Sequence, residues 1–459
     1  MTKLVGGVRR RGRASRSALF GAVLLTVFAV VFGGGQTTAN AIPAENAVIY
    51  WNENAVLALI NGTGATPGVG QPPPVSVLHM GIVQAAVYDA VNMIDGSRKP
   101  YLDGLPAASA SASKSAAVAT AAHDVLVGLK GAAGAPLLPS ATVMWLGQRR
   151  DASIAAANDG NVAAGIAAGA AAATAMLTAR GSDGRYTPGI KFTEGLGVGE
   201  WRPTNPPTNT NDPNAWVAVV NPFAMTSTSQ FRTEGPPKIG TGRYRMEYEE
   251  VKSLGGNGLP GGTPSARTAE QTEVAAFFST NPVELFNRTF RGLSTSKGLT
   301  LVEQARLFAM LNLAGADAAI ACWDDKEYHA FWRPITAIRL GDSDGDPATI
   351  GDPNWTPFTA TPPYPDHPSG FNCQAGSFMH AARAFFRQDF QFTLTASIGT
   401  PPAPVIRSYR RFADVVDDAV DARVWNGLHF RSADQDGAWI GKRSAQWINA
   451  HLFTPAGGR

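Results

Sequence analysis

Residues 301–339, LVEQARLFAMLNLAGADAAIACWDDKEYHAFWRPITAIR, constrain the fold more than any other stretch of this chain. Leu307, Leu311 and Ala314 recur on one helical face, so the segment predicts a long helix in the most orderly region of the sequence. Helical spacing continues on both sides of it. Residues 46–60 and 75–94 place apolar side chains with a helical period, and Pro72, Pro73 and Pro74 bar an earlier start to the second helix. Residues 106–130 and 151–179 are alanine-rich with little β-branched crowding, which suits closely packed helices. Helices are also predicted from Thr268, over 370–387, over 408–425 and over about 434–451. No segment argues convincingly for a strand and no repeat is visible, so the class is all-α, a large helical bundle.

Between these helices, residues 180–264 turn rich in Gly, Pro, Thr and Asn. A structureless stretch of that length is uncommon in a compact domain unless it covers a site, so it reads as a lid or a substrate-facing wall. The chain therefore divides into an N-terminal helical region over 42–264, carrying the irregular loop 180–264, and a C-terminal helical catalytic region over 265–459. Its size calls for two lobes or one large helical domain.

The first 41 residues read as an export signal. Five arginines lie within 9–16, an apolar run fills 18–32, and Ala39-Asn40-Ala41 is a small-x-small cleavage site. The apolar run is shorter than the roughly 20 residues a membrane-spanning helix needs, and no other segment looks long and apolar enough to span. Cleavage after Ala41 and a periplasmic or extracellular location are expected. The net charge is only +3 and no basic run interleaved with aromatics follows the signal, which argues against nucleic acid as a partner. Cys322 and Cys373 are the only cysteines, read as two buried free thiols in preference to a disulfide.

Chemistry concentrates in the last third. Lys326 and Arg333 are seven apart, two turns of a helix that Pro334 would end or kink, and Trp323, Phe331 and Trp332 surround them. Buried cations are costly without an anion, so an oxyanion site competes with a structural ion-pair network involving Asp324, Asp325 and Asp434. Pro368-Ser369-Gly370 precedes a helix, whose first N–H groups can cradle an oxyanion. Arg423 and His429 are six apart with Gly427 between them, a spacing that puts one of the two on a turn.

The ordered set Lys-x6-Arg-Pro, Pro-Ser-Gly and Arg-x5-His resembles the vanadium-dependent haloperoxidases and the type 2 phosphatidic acid phosphatases. Those enzymes share one helical bundle, and WDDKEYHAFWRPITAIR, DPNWTPFTATPPYPDHPSG and MGIVQAAVYDAVN extend the likeness over nearly all of the chain after the signal. The resemblance implies the vanadium chloroperoxidase type of bundle. It implies that Lys326, Arg333, Ser369, Gly370 and Arg423 hold the oxygens of vanadate or phosphate. His429 would be the vanadium ligand, or the nucleophile of a phosphatase.

One position departs from that pattern. The family places a histidine directly after Ser-Gly, where this chain has Phe371. A positioned acid–base group is worth about 10²–10⁴ in rate, and a phenyl ring supplies none of it. His329 and His367 are the nearest imidazoles in sequence, but His367 precedes Phe371 by four residues, across the turn. The residues left in place, three cations and one imidazole, suit removal of a hydroxyl proton and stabilisation of the resulting alkoxide. The leading expectation is therefore a cofactor-independent rearrangement of isomerase type, such as an α-hydroxyketone 1,2-shift, on a small lipophilic aromatic or terpenoid metabolite. Trp323, Tyr364 and Phe371 would line its pocket. The alternatives are a vanadate-dependent chloro- or bromoperoxidase, in which vanadate sits on His429, then an acid phosphatase, then a binding protein without turnover. The sequence leaves the oligomeric state open and allows a homodimer.

Overall fold

Helix α9, Leu301–His329, realises the long helix predicted from the sequence, with Thr300 and Glu303 forming a reciprocal capping box at its start. A computed structural model describes residues 46–61, 68–204 and 210–457, so the expected export signal lies outside the described residues. Almost every residue of α9 between Leu307 and Trp323 is buried, because helices wrap it on several sides.

Before α9 come α1 (Ala47–Leu59), α2 (Pro73–Asp95), α3 (Lys114–Gly128), α4 (Ser140–Ala156), α5 (Val162–Ala179), α6 (Gly242–Leu254), α7 (Ala269–Phe277) and α8 (Pro282–Ser296). After it come α10 (Pro334–Arg339), α11 (Gly370–Phe386), α12 (Phe412–Trp425) and α13 (Arg431–His451). Helix α9 packs against α2, α11 and α13, α11 packs against α12 and α13, and α3 bridges α2 and α5. The described residues cluster as one compact unit. Both cysteines are free and buried, as expected.

Several boundaries differ from the expectations. The helix expected over 151–179 is two helices, since α4 ends at Ala156 and Asn161 caps α5 by accepting from the Ala164 N–H. Alanine composition is uniform across that break and hides it. The segment 180–264 is not wholly irregular, because it contains α6 and a 3-10 turn at Ala215–Val219. The chain is mostly helical rather than purely so: β1 (Phe392–Ile398) and β2 (Ala403–Tyr409) form an antiparallel hairpin, pairing Phe392 with Tyr409. Phe392, Leu394 and Ala396 alternate inward along β1, a period-2 signal short enough to be overlooked. The hairpin also delays α12, which begins at Phe412 instead of 408.

The expectation that no segment beyond the signal is long and apolar enough to span a membrane is corrected. Three described helices meet that criterion by length and composition: α2, α5 and α9. In α2 and α9 the apolar surface is consumed by the bundle itself, with 100% and 94% of the relevant windows buried, against 33% in α5.

The segment 222–225 is fastened to α9 by one carboxylate. Asp317, buried in mid-helix, accepts hydrogen bonds from the backbone N–H groups of Phe223, Ala224 and Met225 at 2.6, 2.9 and 2.9 Å. Burial pushes its pKa up to about 6 even though these three donors pull it down. A second, smaller core gathers Tyr244, Tyr248, Phe331, Trp332, Trp355 and Phe430 beside the turn that leaves α9.

Candidate active site

Lys326 and Arg333 do not share a helix. Helix α9 stops at His329 on a left-handed Ala330 (φ 43°), and Arg333 is the N-cap of α10, so Pro334 begins a helix instead of ending one. The turn nevertheless aims both cations at one loop. Lys326 Nζ donates to the carbonyls of Pro365 and Asp366 at 2.6 and 3.1 Å, and Arg333 Nε donates to the Tyr364 carbonyl at 2.9 Å. The Tyr364 ring centroid lies 5.1 Å from Lys326 Nζ and 4.9 Å from Arg333 Cζ, cation–π distances for both.

Arg423 comes from the last turn of α12, and His429 from the link before α13, where Gly427 turns the chain at φ +73°. A Cβ at Gly427 would stand 2.4 Å from the Gly255 carbonyl and 2.8 Å from the Trp355 ring, so only glycine fits. Of the spacing-six pair, His429 is therefore the residue delivered by a turn.

All three cations are buried. Burial pulls Lys326 down to about 8 and lowers Arg333 and Arg423 from their ordinary values. Arg333 also donates from Nη1 to the Leu428 carbonyl at 2.8 Å and Arg423 from Nη1 to that of Phe278 at 3.1 Å. Arg333 Nη2 and Arg423 Nε have no hydrogen-bond partner among the described residues.

His429 stands between a base and a cation. Its Nδ1 lies 2.9 Å from Asp366 Oδ1 and its Nε2 lies 3.2 Å from Arg333 Nη1. Burial first, then Arg333, Lys326 and Arg423, hold its pKa well below 6.5, so the ring is neutral. A neutral ring in that setting donates from Nδ1 to Asp366 and keeps its Nε2 lone pair toward the guanidinium. Asp366 is itself pushed up to about 7 by burial, against the pull of Arg333 and Lys326. Sequence reasoning missed Asp366. It sits inside PYPDHPSG, and no spacing relates it to residue 429.

The Ser369 cradle is partly spent within the fold. Its N–H donates to the Ala433 carbonyl at 2.8 Å, its hydroxyl is packed against Asn372 and Asp434, and it makes no side-chain cap on α11. Gly370 faces the cavity, and a Cβ there would meet the Trp323 ring at 2.9 Å, so glycine lets the indole lie across the start of α11. Of the three acids proposed for an ion-pair network, only Asp434 is near the cations. Its pKa is raised well above the usual range by burial, and its Oδ1 accepts from Asn372 at 2.8 Å. Asp324 and Asp325 bond to Thr228 and Thr233 instead.

These groups surround a cavity of about 250 Å³. Trp323, Tyr364, Gly370, Phe371, Arg423 and His429 line it, together with Gln374 and the 279–282 segment, which sequence reasoning did not single out. Lys326, Arg333 and Ser369 lie directly behind that lining. The Phe371 ring packs edge-on against Phe278 and Phe286 at 5.9 and 6.3 Å, with Arg423 Cζ 5.1 Å from its centroid. His367 is not in the cavity. Its Nε2 faces Thr233 Oγ1 at 3.0 Å and Asp436 Oδ2 at 3.4 Å, so neither it nor its neighbour His329 replaces the missing imidazole.

The arrangement can hold a compact oxyanion and offer it one neutral imidazole. Residues 306–457 match the family described as the VCPO second helical-bundle domain. Over 227 residues, 40% of this chain and only 37% of the relative, the sequence is 25% identical to vanadium chloroperoxidase from Curvularia inaequalis. Among solved structures, a bacterial vanadium-dependent iodoperoxidase superposes with a TM-score of 0.70 at 21% identity, covering 90% of this chain and 98% of that one. A bacterial vanadium-dependent chloroperoxidase in its holo form gives 0.66 at 16%, covering 89% and 95%. At such identities the structural likeness establishes the fold.

Proposed function

We propose that the chain is a member of the vanadium haloperoxidase superfamily, a reading supported by the family match over 306–457 and the likeness to vanadium chloroperoxidase, that its cationic cavity takes vanadate and that the loaded protein oxidises halide with peroxide. One observation carries this reading above the others. Two buried guanidinium N–H groups, Arg333 Nη2 and Arg423 Nε, have no partner among the described residues, a costly arrangement that a multivalent oxyanion relieves. The volume agrees, since about 250 Å³ falls below the roughly 300–1,000 Å³ of sites that enclose a drug-sized organic molecule. A bulky terpenoid, part of the substrate class expected from the sequence, fits poorly.

The donor set suits the group. Lys326, Arg333 and Arg423 would balance its charge, Gly370 at the uncapped start of α11 adds helix-terminal N–H character, and the neutral His429 offers Nε2 as a ligand. Bound there, vanadate supplies a Lewis-acidic centre that activates peroxide for two-electron oxidation of halide. Asp366 holds the Nδ1 proton of His429 and so leaves Nε2 unprotonated, 3.2 Å from Arg333 Nη1, as the nitrogen that would serve as ligand. Trp323, Tyr364 and Phe371 exclude water from the anion's surroundings and strengthen each charge interaction.

A second reading rests on Phe371. His429 is the only imidazole among the cavity-lining residues, and a metal-free rearrangement of a small α-hydroxyketone needs only one base with an oxyanion hole. A phosphatase needs the absent acid most and ranks third. Calorimetric titration of the chain with vanadate, beside Arg333→Ala and with peroxide-dependent bromide and iodide oxidation on the same samples, separates these readings. Binding that Arg333→Ala abolishes, together with halide turnover, supports the first. Wild-type protein that takes up no vanadate sinks it and sends the search to metal-free rearrangements.

A further inference from the structure

We infer that Asp325, His329 and His367, with Asp436 beside His367, form a binding site for a divalent transition metal of the zinc class, separate from the oxyanion cavity. Asp325 and His329 lie one turn apart at the end of α9 and point to the same side, while Lys326 between them turns toward the cavity. His367 arrives from the loop before α11, and Asp436 from the second turn of α13. One donor atom from each of Asp325, His329 and His367 falls within 4.8 Å of the other two.

The spacing fits a small tetrahedral ion. Bonds of about 2.0–2.1 Å to nitrogen and oxygen place neighbouring ligand atoms about 3.4 Å apart in a tetrahedron. His329 Nε2 to Asp325 Oδ1 measures 3.4 Å, one such edge, and Asp436 Oδ2 stands 3.4 Å from His367 Nε2 beside the three. The set of two imidazoles and one or two carboxylates matches zinc chemistry better than the all-oxygen shells of calcium or magnesium.

Burial and orphaned atoms point to an occupant. Asp325 is 1% exposed and His367 fully buried. Thr233 occupies only Oδ2 of Asp325, through its hydroxyl at 2.6 Å and its N–H at 3.2 Å. Asp325 Oδ1 has no hydrogen-bond partner among the described residues; His329 Nε2 stands 3.4 Å away and Arg232 Nε 3.8 Å away, with the Arg232 guanidinium paired with Asp324. The His367 ring is fully buried, with Nε2 3.0 Å from the Thr233 hydroxyl and 3.4 Å from Asp436 Oδ2. An entry path exists on both sides. His329 lines a cavity with Gly199, Pro236 and Phe331, and Thr233 and Asp436 line another with Arg243 and Trp439.

Such an ion would tie the loop 364–369 to the end of α9. That loop carries Tyr364 and Asp366, so the metal would act on the oxyanion cavity by positioning the Asp366 that orients His429. The inference does not depend on vanadate binding.

The test is to strip the purified chain with a chelator and titrate it calorimetrically with zinc chloride, then load it with cobalt(II) and record the visible spectrum. One equivalent of zinc and an intense tetrahedral cobalt band are expected, with affinity lowered more than about tenfold in His329→Ala and in His367→Ala. His329 is partly exposed, so its variant is expected to fold even where that of His367 does not. A wild-type chain that binds no stoichiometric zinc, or binds it undiminished in His329→Ala, overturns the assignment. Zinc at saturation should also raise the melting temperature of wild type and leave that of His329→Ala unmoved.

Discussion

His429 Nδ1 lies 2.9 Å from Asp366 Oδ1, and both side chains are buried at the back of a cationic cavity. The contact selects one tautomer, because a neutral ring that donates from Nδ1 keeps a free lone pair on Nε2, where Arg333 Nη1 stands 3.2 Å away. Asp366→Ala leaves that N–H unpaired and frees the ring to flip. Halide turnover is expected to fall by about 10²-fold or more in kcat, with a smaller loss in anion affinity. Asp366→Asn should recover part of it, since its amide oxygen accepts the same proton. Equal losses in both variants would show that the carboxylate's charge, and not its hydrogen bond, matters.

Anion affinity is expected to depend on Lys326. Burial is the chief cause that brings its pKa down to about 8, with Arg333 lowering it further and Cys322, Asp366 and Cys373 opposing. The sign follows directly: the folded chain holds the ammonium below pH 8 and loses it above, so the cavity sheds one positive charge as pH rises through that value. Molybdate remains a dianion across this range and serves as the probe, free of the speciation that complicates vanadate. Its affinity, measured by calorimetry from pH 7 to about 9, should decline in wild type and be weak in Lys326→Met, which keeps only the shallower decline expected as Asp366 loses its proton near pH 7. A flat wild-type profile would remove Lys326 from the anion's charge balance.

The helical class and most site residues could be read from the sequence because each rests on local signals: period, proline punctuation, and three short motifs. What could not be read are the relations that cross the chain. Lys326 and Arg333 look like one helical face, yet Ala330 adopts a left-handed conformation and the two cations converge through a turn. Ser369 looks like an open cradle, yet its N–H bonds to Ala433, 64 residues later. Asp366 has the clearest functional geometry in the site and no motif of its own. The β1–β2 hairpin was legible in the alternation of FTLTASI, but a seven-residue signal is easily lost among helices.

Asp317 shows how an irregular segment is held without regular structure. Its carboxylate is the shared acceptor for three consecutive backbone N–H groups, those of Phe223, Ala224 and Met225. Asp317→Ala would leave three donors unmatched in a buried place, each costing about 1–3 kcal/mol, so a loss of at least about 2 kcal/mol is expected after relaxation. Urea unfolding should show a lower midpoint with little change in slope. An unchanged midpoint would mean that the 222–225 segment finds water or other acceptors at no cost.

Phe371 is where the two leading readings of the site part. Its ring fills the space between Phe278, Phe286 and Arg423, so at this position the cavity wall carries no acid–base group. Phe371→His gives up two edge-on ring contacts, about 0.5–1.5 kcal/mol each, which a bundle of this size should tolerate. The new imidazole would sit beside Arg423 and stay neutral, able to donate to a bound oxyanion and to pass protons. If the chain is a peroxidase working without its second acid–base group, peroxide-dependent iodide oxidation should rise by about 10²-fold in this variant, with Phe371→Leu as a control that gains nothing. If halide oxidation stays at background while the variant still binds vanadate, the missing group is not what limits the chemistry. The apolar wall would then be a feature the native reaction requires, as the rearrangement of a small hydroxyketone would.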